Sequence, residues 1–190
     1  MYYYIKRIFD FFMAIIALLF LIVPLIAIAL LVKMTSKGPV LYWSDRIGKN
    51  NKIFKMPKFR TMLIETPVVA THLLSDPDRF LTPIGKFLRK TSIDELPQLW
   101  SILKGDMSIV GPRPALFNQD DLIALRTAKG VHVLTPGLSG PAQINGRDEL
   151  PIPVKVEYDE YYLKNRSFLF DMKIIFQTLF KAAKCEGVTH

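Results

Sequence analysis

Three Asp-Glu pairs occur in this sequence, at Asp94-Glu95, Asp148-Glu149 and Asp159-Glu160. Adjacent carboxylates can supply a nucleophile, a base or a metal ligand, but a dipeptide this frequent carries no information by itself. Asp94-Glu95 has the distinctive setting, Thr91-Ser92-Ile93-Asp94-Glu95-Leu96-Pro97, which places it at a helix start. In isolation the pattern reads as a capping box, in which Ser92 caps, Glu95 reaches back and Asp94 is favoured by the helix dipole. Pro97 complicates that reading, because a proline this early kinks the helix or sets its first turn beyond the pair. Either arrangement leaves two carboxylates beside unpaired backbone donors, where a phosphate also binds. Acid, nucleophile and phosphate can therefore meet at one place.

Cations for such phosphates lie close by in the chain: Arg89 and Lys90 just before the pair, Lys58 and Arg60 in KFRTM, and Arg113 in GPRP. Arg113 stands between two prolines, which restrict the backbone and suit a guanidinium that presents a fork to phosphate oxygens. Taken singly, each of these residues also reads as a solvated or lipid-facing charge. There is no GxxxxGK[ST] and no GxGxxG, and no Ser/His/Asp or Cys/His combination stands out, so kinase, dehydrogenase and serine-hydrolase readings lose their usual motifs. The single Cys185 excludes an intramolecular disulfide, and His72, His132 and His190 are widely separated, so no Cys/His zinc site is legible. A reducing, cytosol-facing location fits that cysteine usage.

The elements that must position these residues begin with an apolar run. Phe11 to Val32 carries no charge, and as a straight helix it would reach across a hydrocarbon core. The run exceeds the h-region of a cleavable signal, and no A-x-A-like site precedes Lys33. Pro24 near its middle gives a physical cause for a bend, although proline also occurs in spanning helices. Lys6 and Arg7 precede the run, while Lys33, Lys37, Arg46 and Lys49 follow it. Positive charge on both sides is best satisfied if both ends are cytoplasmic, which favours a re-entrant hairpin over a span.

Beyond the run, Val40 to Met62 reads as short strands around a turn at Gly48, and Thr66 to Asp78 as a helix ending at a Ser-Asp-Pro-Asp breaker. Arg79 to Lys90 places Phe80, Leu81, Ile84, Phe87 and Leu88 on one helical face, as an interfacial or core-covering helix would. Ser92 to Leu103, Leu116 to Lys129 and Asp171 to Lys184 read as further helices, the last basic and amphipathic, with irregular loops at Gly111 to Pro114 and Thr135 to Gly146. The expected fold class is α+β and mainly helical. It has a membrane segment over residues 1–35 and a compact membrane-associated catalytic domain with amphipathic interfacial helices over 36–190.

Composition agrees with a membrane surface. Half of the 190 residues are hydrophobic, yet the net charge is +8, a pairing that matches anionic lipid. Nucleic acid would attract the same charge, but no zinc-finger spacing, RNP-like motif or isolated basic helix is present. The length suits one domain plus an attachment.

As a set, RIGKNNKIFKMPKFRTM (46–62), LRKTSIDELPQLWSILKGDMSIVGPRP (88–114), PGLSGPAQINGR (136–147) and YLKNRSFLFDMKII (162–175) resemble the bacterial sugar transferase family. The resemblance covers nearly the whole chain. More narrowly, it is to small monotopic phosphoglycosyl transferases of the bacterial inner membrane, whose catalytic domain faces the cytoplasm. It implies that Asp94 attacks the sugar-linked phosphorus of a UDP-sugar, releasing UMP and leaving a covalent phosphosugar. Polyprenyl (undecaprenyl) phosphate then takes that group, as a first membrane step of glycan assembly. Glu95 is implied as general base toward the acceptor, and Mg²⁺ as a cofactor held by Asp94 and Glu95. Arg147, closing PGLSGPAQINGR, joins Lys58, Arg60, Arg89, Lys90 and Arg113 as a phosphate or substrate-binding candidate. Asp171 is a further family position whose role stays open.

Two positions depart from the family pattern. Val23 stands beside Pro24 in place of a hydroxyl residue, and Pro141 replaces a common loop aromatic. A membrane adaptor that grips lipid and a partner protein explains the charge and the hairpin, but not the joint presence of the dyad, GPRP and PGLSGPAQINGR. A spanning transferase with a soluble acceptor is the rival among enzymes.

Overall fold

The computed structural model describes residues 2–67, 76–146 and 150–184. Its first element is a single α-helix, α1 (Tyr2–Thr35), with Pro24 inside it. The expected helix hairpin is thus not formed as two helices. Proline removes one backbone bond and crowds the preceding turn, and the chain absorbs this within one helix, which at 34 residues extends about 50 Å.

From Phe11 to Val32 the sequence of α1 is apolar all round, and only packing divides its faces. Ala14, Ala17, Leu18 and Leu21 pack with Met56, Leu99, Ile102 and Met107. Farther along, Leu25, Ile28, Ala29 and Val32 pack with Phe59 and Leu88. These eight positions recur at helical spacing, so they form one stripe facing the rest of the protein. The opposite face, including Phe12, Leu19, Phe20, Val23 and Leu30, is exposed, Phe20 to 81%.

Polar groups hold the N-terminal part of α1. Asp10 accepts from Ser108 Oγ at 2.7 Å and the Ile109 N–H at 3.2 Å. Lys6 pairs with Asp171 at 2.9 Å, and Tyr2 and Tyr162 each donate to the same carboxylate at 2.7 Å. Asp171, which the sequence left without a role, is therefore an anchor for α1.

Strands β1 (Leu41–Ile47) and β2 (Ile53–Phe59) form the expected hairpin, antiparallel with Leu41 opposite Phe59. Its connection places Asn50 and Asn51 in the left-handed region, which Asn tolerates better than most residues. Most of the helix expected over Thr66 to Asp78 lies outside the described residues. The amphipathic helix expected over Arg79 to Lys90 is instead a 3₁₀ turn (Pro77–Phe80) and a short α2 (Gly85–Lys90). Pro83 cannot continue a helix, and Thr82 N–H bonds to the Thr61 carbonyl at 2.9 Å. The apolar face is split accordingly, with Leu88 buried and Phe87 exposed.

Residues Ile93–Gln98 form a 3₁₀ helix that continues into α3 (Leu99–Lys104). A second small sheet pairs β3 (Ser108–Val110) in parallel with β4 (Gly137–Ser139), the connection carrying α4 (Asp120–Ala128). The backbones here are too close for side chains: a Cβ on Gly137 would lie 2.0 Å from the Gly111 nitrogen. Thus β4 and the short α5 (Pro141–Ile144) occupy a stretch that reads as irregular loop from its Gly and Pro content. Helix α6 (Ile152–Asn165) was not legible either, since its Pro-Ile-Pro start and mixed composition show no clear stripe. The basic helix expected from Asp171 begins earlier, as α7 (Phe168–Lys184). Among the described residues the fold is mainly helical with two small sheets, as expected.

Candidate active site

The 3₁₀ helix Ile93–Gln98 carries the dyad, and Ser92 aims it. Ser92 has φ 56° and ψ 17°, a left-handed conformation that turns the chain sharply after α2. It makes no side-chain cap bond, and an N-cap would need extended geometry. The capping box is not formed. Asp94 and Glu95 are instead buried, 7% and 8% exposed.

Two cations converge on Glu95 from different elements. Lys58, on β2, donates from Nζ to Glu95 Oε1 at 2.9 Å, and Arg113, beyond the end of β3, donates from Nη2 to the same oxygen at 3.1 Å. Burial pushes the Asp94 carboxyl up to about 6, and the neighbouring Glu95 charge adds to this, while Lys58, Arg89 and Arg113 pull it down. Those three cations act on Asp94 by Coulomb attraction. Arg89 is carried by α2, which starts against the Thr61 carbonyl at Gly85, where a Cβ would lie only 2.2 Å from that oxygen. Gln98 follows Glu95 by one 3₁₀ turn and so lies on the same face. It is buried, and its Nε2 has no hydrogen-bond partner among the described residues.

The other sequence candidates divide. Arg60 is not at the dyad. It is buried, with Nε on the Pro39 carbonyl at 2.7 Å and Nη2 on Ser36 Oγ at 2.9 Å, so it ties the end of α1 to β2. Lys90 is exposed at the end of α2. Arg147 lies outside the described residues. Among the described residues no group of three or more His, Cys, Asp or Glu forms a metal cluster. Two adjacent carboxylates do fit Mg²⁺, which typically takes one or two carboxylates and completes its shell with water and substrate phosphate oxygens.

The sequence pattern of the family described as bacterial sugar transferase matches residues 1–185. The chain belongs to that family. Among its relatives in the bacterial sugar transferase family is a Bacillus subtilis protein named uncharacterized sugar transferase EpsL, 41% identical, the match covering 96% of this chain and 89% of the relative. An Aeromonas hydrophila UDP-N-acetylgalactosamine-undecaprenyl-phosphate N-acetylgalactosaminephosphotransferase is 38% identical over 94% of this chain and 43% of its own length. An Escherichia coli UDP-glucose:undecaprenyl-phosphate glucose-1-phosphate transferase is 41% identical over 93% and 39%. This family member therefore spans about two fifths of the length of the latter two relatives.

Proposed function

We propose that this family member transfers a sugar-1-phosphate from a UDP-sugar to polyprenyl phosphate, releasing UMP. The observation that carries the reading is the buried Asp94-Glu95 pair with Lys58 and Arg113 closing on it from separate elements. Relatives named for UDP-sugars and undecaprenyl phosphate support the two substrates.

In the first half-reaction an Asp94 oxygen attacks the sugar-linked phosphorus. The bond from that phosphorus to the bridging oxygen breaks, and its electron pair leaves with UMP. In the second, an oxygen of polyprenyl phosphate attacks the same phosphorus, and the Asp94 carboxylate is the leaving group. Glu95 assists the acceptor as base, and it holds Lys58 and Arg113 where an incoming phosphate takes them over. A Mg²⁺ held by Asp94 and Glu95 would supply Lewis-acid stabilisation of phosphate charge.

The same reading places the protein at the cytoplasmic face of the bacterial inner membrane. Its exposed apolar α1 face meets lipid, and both ends of α1 stay with the catalytic domain. The support is that Asp10 is bonded to Ser108 and Ile109 while Val32 packs on Phe59 and Leu88. A helix spanning the bilayer away from the domain would lose one of these sets, separating Asp10 from Ser108 and Ile109 or Val32 from Phe59 and Leu88.

The deciding experiment is UMP release by the purified protein against a panel of UDP-sugars, with and without polyprenyl phosphate. The expected result is repeated release only with the lipid phosphate, and without it at most one UMP per protein together with the mass of one phosphosugar on Asp94. Repeated turnover without a lipid phosphate, or no release with any donor, sinks the reading.

A further inference from the structure

The loop that presents Arg113 has an unusual backbone problem. Pro112 and Pro114 have no N–H, so the segment is rich in acceptors and poor in donors, and its carbonyls must be met from outside. All four from Pro112 to Ala115 are met. Pro112 O accepts from Gly137 N–H at 2.8 Å and Ala115 O from Ile47 N–H at 2.9 Å. The two between them take guanidinium donors: Arg126 Nη1 on Arg113 O at 2.8 Å, and Arg46 Nη1 on Pro114 O at 3.1 Å.

Arg126 is itself held rigidly. It lies on α4, and its Nε and Nη2 both donate to Asp159 Oδ2 on α6, at 2.9 and 2.7 Å. Asp159 is fully buried, its Oδ1 has no partner among the described residues, and Arg126 is 9% exposed. A buried ion pair is a weak net stabiliser, because desolvation offsets much of the Coulomb gain. What this one does supply is a fixed direction: two of the guanidinium's nitrogens are bound to one carboxylate oxygen, so the third points at one peptide plane. That plane is the one between Arg113 and Pro114, and the residue before a proline has little other conformational choice.

We propose that Arg126, oriented by Asp159, is a positioning residue that sets where the Arg113 guanidinium meets the dyad. Arg126 and Asp159 touch neither Asp94 nor Glu95 in this arrangement. They act through the Arg113 carbonyl, 2.8 Å from Arg126 Nη1, while Arg113 Nη2 reaches Glu95 Oε1 at 3.1 Å. The kinetic consequence rests on the transferase reading above; the placement of Arg113 does not.

The test uses the full chain with Arg126→Lys and Asp159→Asn, and with Ile174→Ala in α7 as a buried control that lowers stability elsewhere. Arg126→Lys keeps the charge but lacks the fork that joins Asp159 to the loop. Turnover is expected to fall roughly ten- to hundred-fold in kcat, as a small misplacement of a reacting group produces, with KM for the UDP-sugar moving much less. Combined with Arg113→Ala, Arg126→Lys should add almost nothing to the loss that Arg113→Ala causes alone. Independently of activity, phenylglyoxal should modify Arg113 faster in Arg126→Lys than in the parent, read by peptide mass spectrometry. Additive losses in the double variant, an equal kcat loss in Ile174→Ala at matched thermal stability, or parent-like kcat with parent-like Arg113 modification would each overturn the inference. Should the parent turn over no UDP-sugar, the transferase reading fails, and the modification rate at Arg113 still decides this one.

Discussion

At the scale of single residues, Asp94 combines two properties that separate function from stability. Its carboxyl is pushed from 3.8 up to about 6, chiefly by burial. Between about pH 4 and 6 the folded protein therefore holds more protons than the unfolded chain, and stability from this group falls as pH rises, the reverse of a salt-bridged aspartate. At pH 7 the ionised Asp94 costs on the order of 2 to 3 kcal/mol. Asp94→Asn, measured without metal, should accordingly raise thermal stability at pH 7, have little effect below pH 4, and abolish turnover. A capping residue would behave oppositely, losing a fraction of a kcal/mol and keeping activity. Glu95→Gln should still trap the phosphosugar on Asp94 but pass it slowly to the lipid, because a base toward the acceptor is needed only in the second step. An adduct on Glu95 would reverse the two roles.

At the scale of elements, arginines that look alike in sequence perform different work. Arg60 closes the junction between α1 and β2 through Pro39 and Ser36, whereas Arg113 faces Glu95. Arg60→Gln should lower stability by about 1.5 to 3 kcal/mol, the scale of hydrogen bonds from a charged donor, while leaving KM for the donor near the parent value. Arg113→Lys should do the converse, keeping the fold and losing most turnover, since an ammonium cannot reproduce the fork. Denaturant unfolding and steady-state kinetics on the two variants would exchange these roles if the geometry were misread. The spacing of KFRTM places Lys58 and Arg60 two residues apart and offers no means to tell them apart. Alternation along β2 would put both on one face, yet the chain leaves the strand at Phe59.

At the scale of the whole molecule, α1 is part of the core on one side and presents an exposed apolar face on the other. Residues before Phe11 and after Val32 should be labelled by a membrane-impermeant reagent from the cytoplasmic side only, because the anchors at Asp10 and Val32 belong to one domain. Asp171→Asn, which weakens the hold on Lys6 and Tyr2, should then release the first residues and raise their rate of labelling or proteolysis without changing their side. Labelling of the N-terminus from the opposite face would disprove the arrangement. Pro24→Ala gives a complementary measurement: with one continuous helix already present, removing the proline should leave sidedness unchanged, unlike the shift toward a span expected of a true hairpin bend.

By itself the sequence determined the mainly helical class, the long apolar first segment, the β1–β2 hairpin and the Asp94-Glu95 pair with a set of six candidate cations, from which only the structure picked out Lys58 and Arg113 as partners of Glu95. These follow from local rules, namely an uncharged apolar run, alternation around a turn, and carboxylates and arginines set among prolines. Only the tertiary structure decided which face of α1 is covered, because a helix that is apolar all round contains no internal signal of its partner. It also decided that Arg60 is structural, that Ser92 does not cap, and that Arg126 and Asp159 stand behind Arg113. The last case is the most instructive: Asp159-Glu160 looks like any Asp-Glu pair, and its partner Arg126 lies 33 residues away in the chain, on another helix. Local pattern reports what a residue can do, but the partner that makes it do so is reached through long-range packing, which a single sequence does not encode at neighbouring positions.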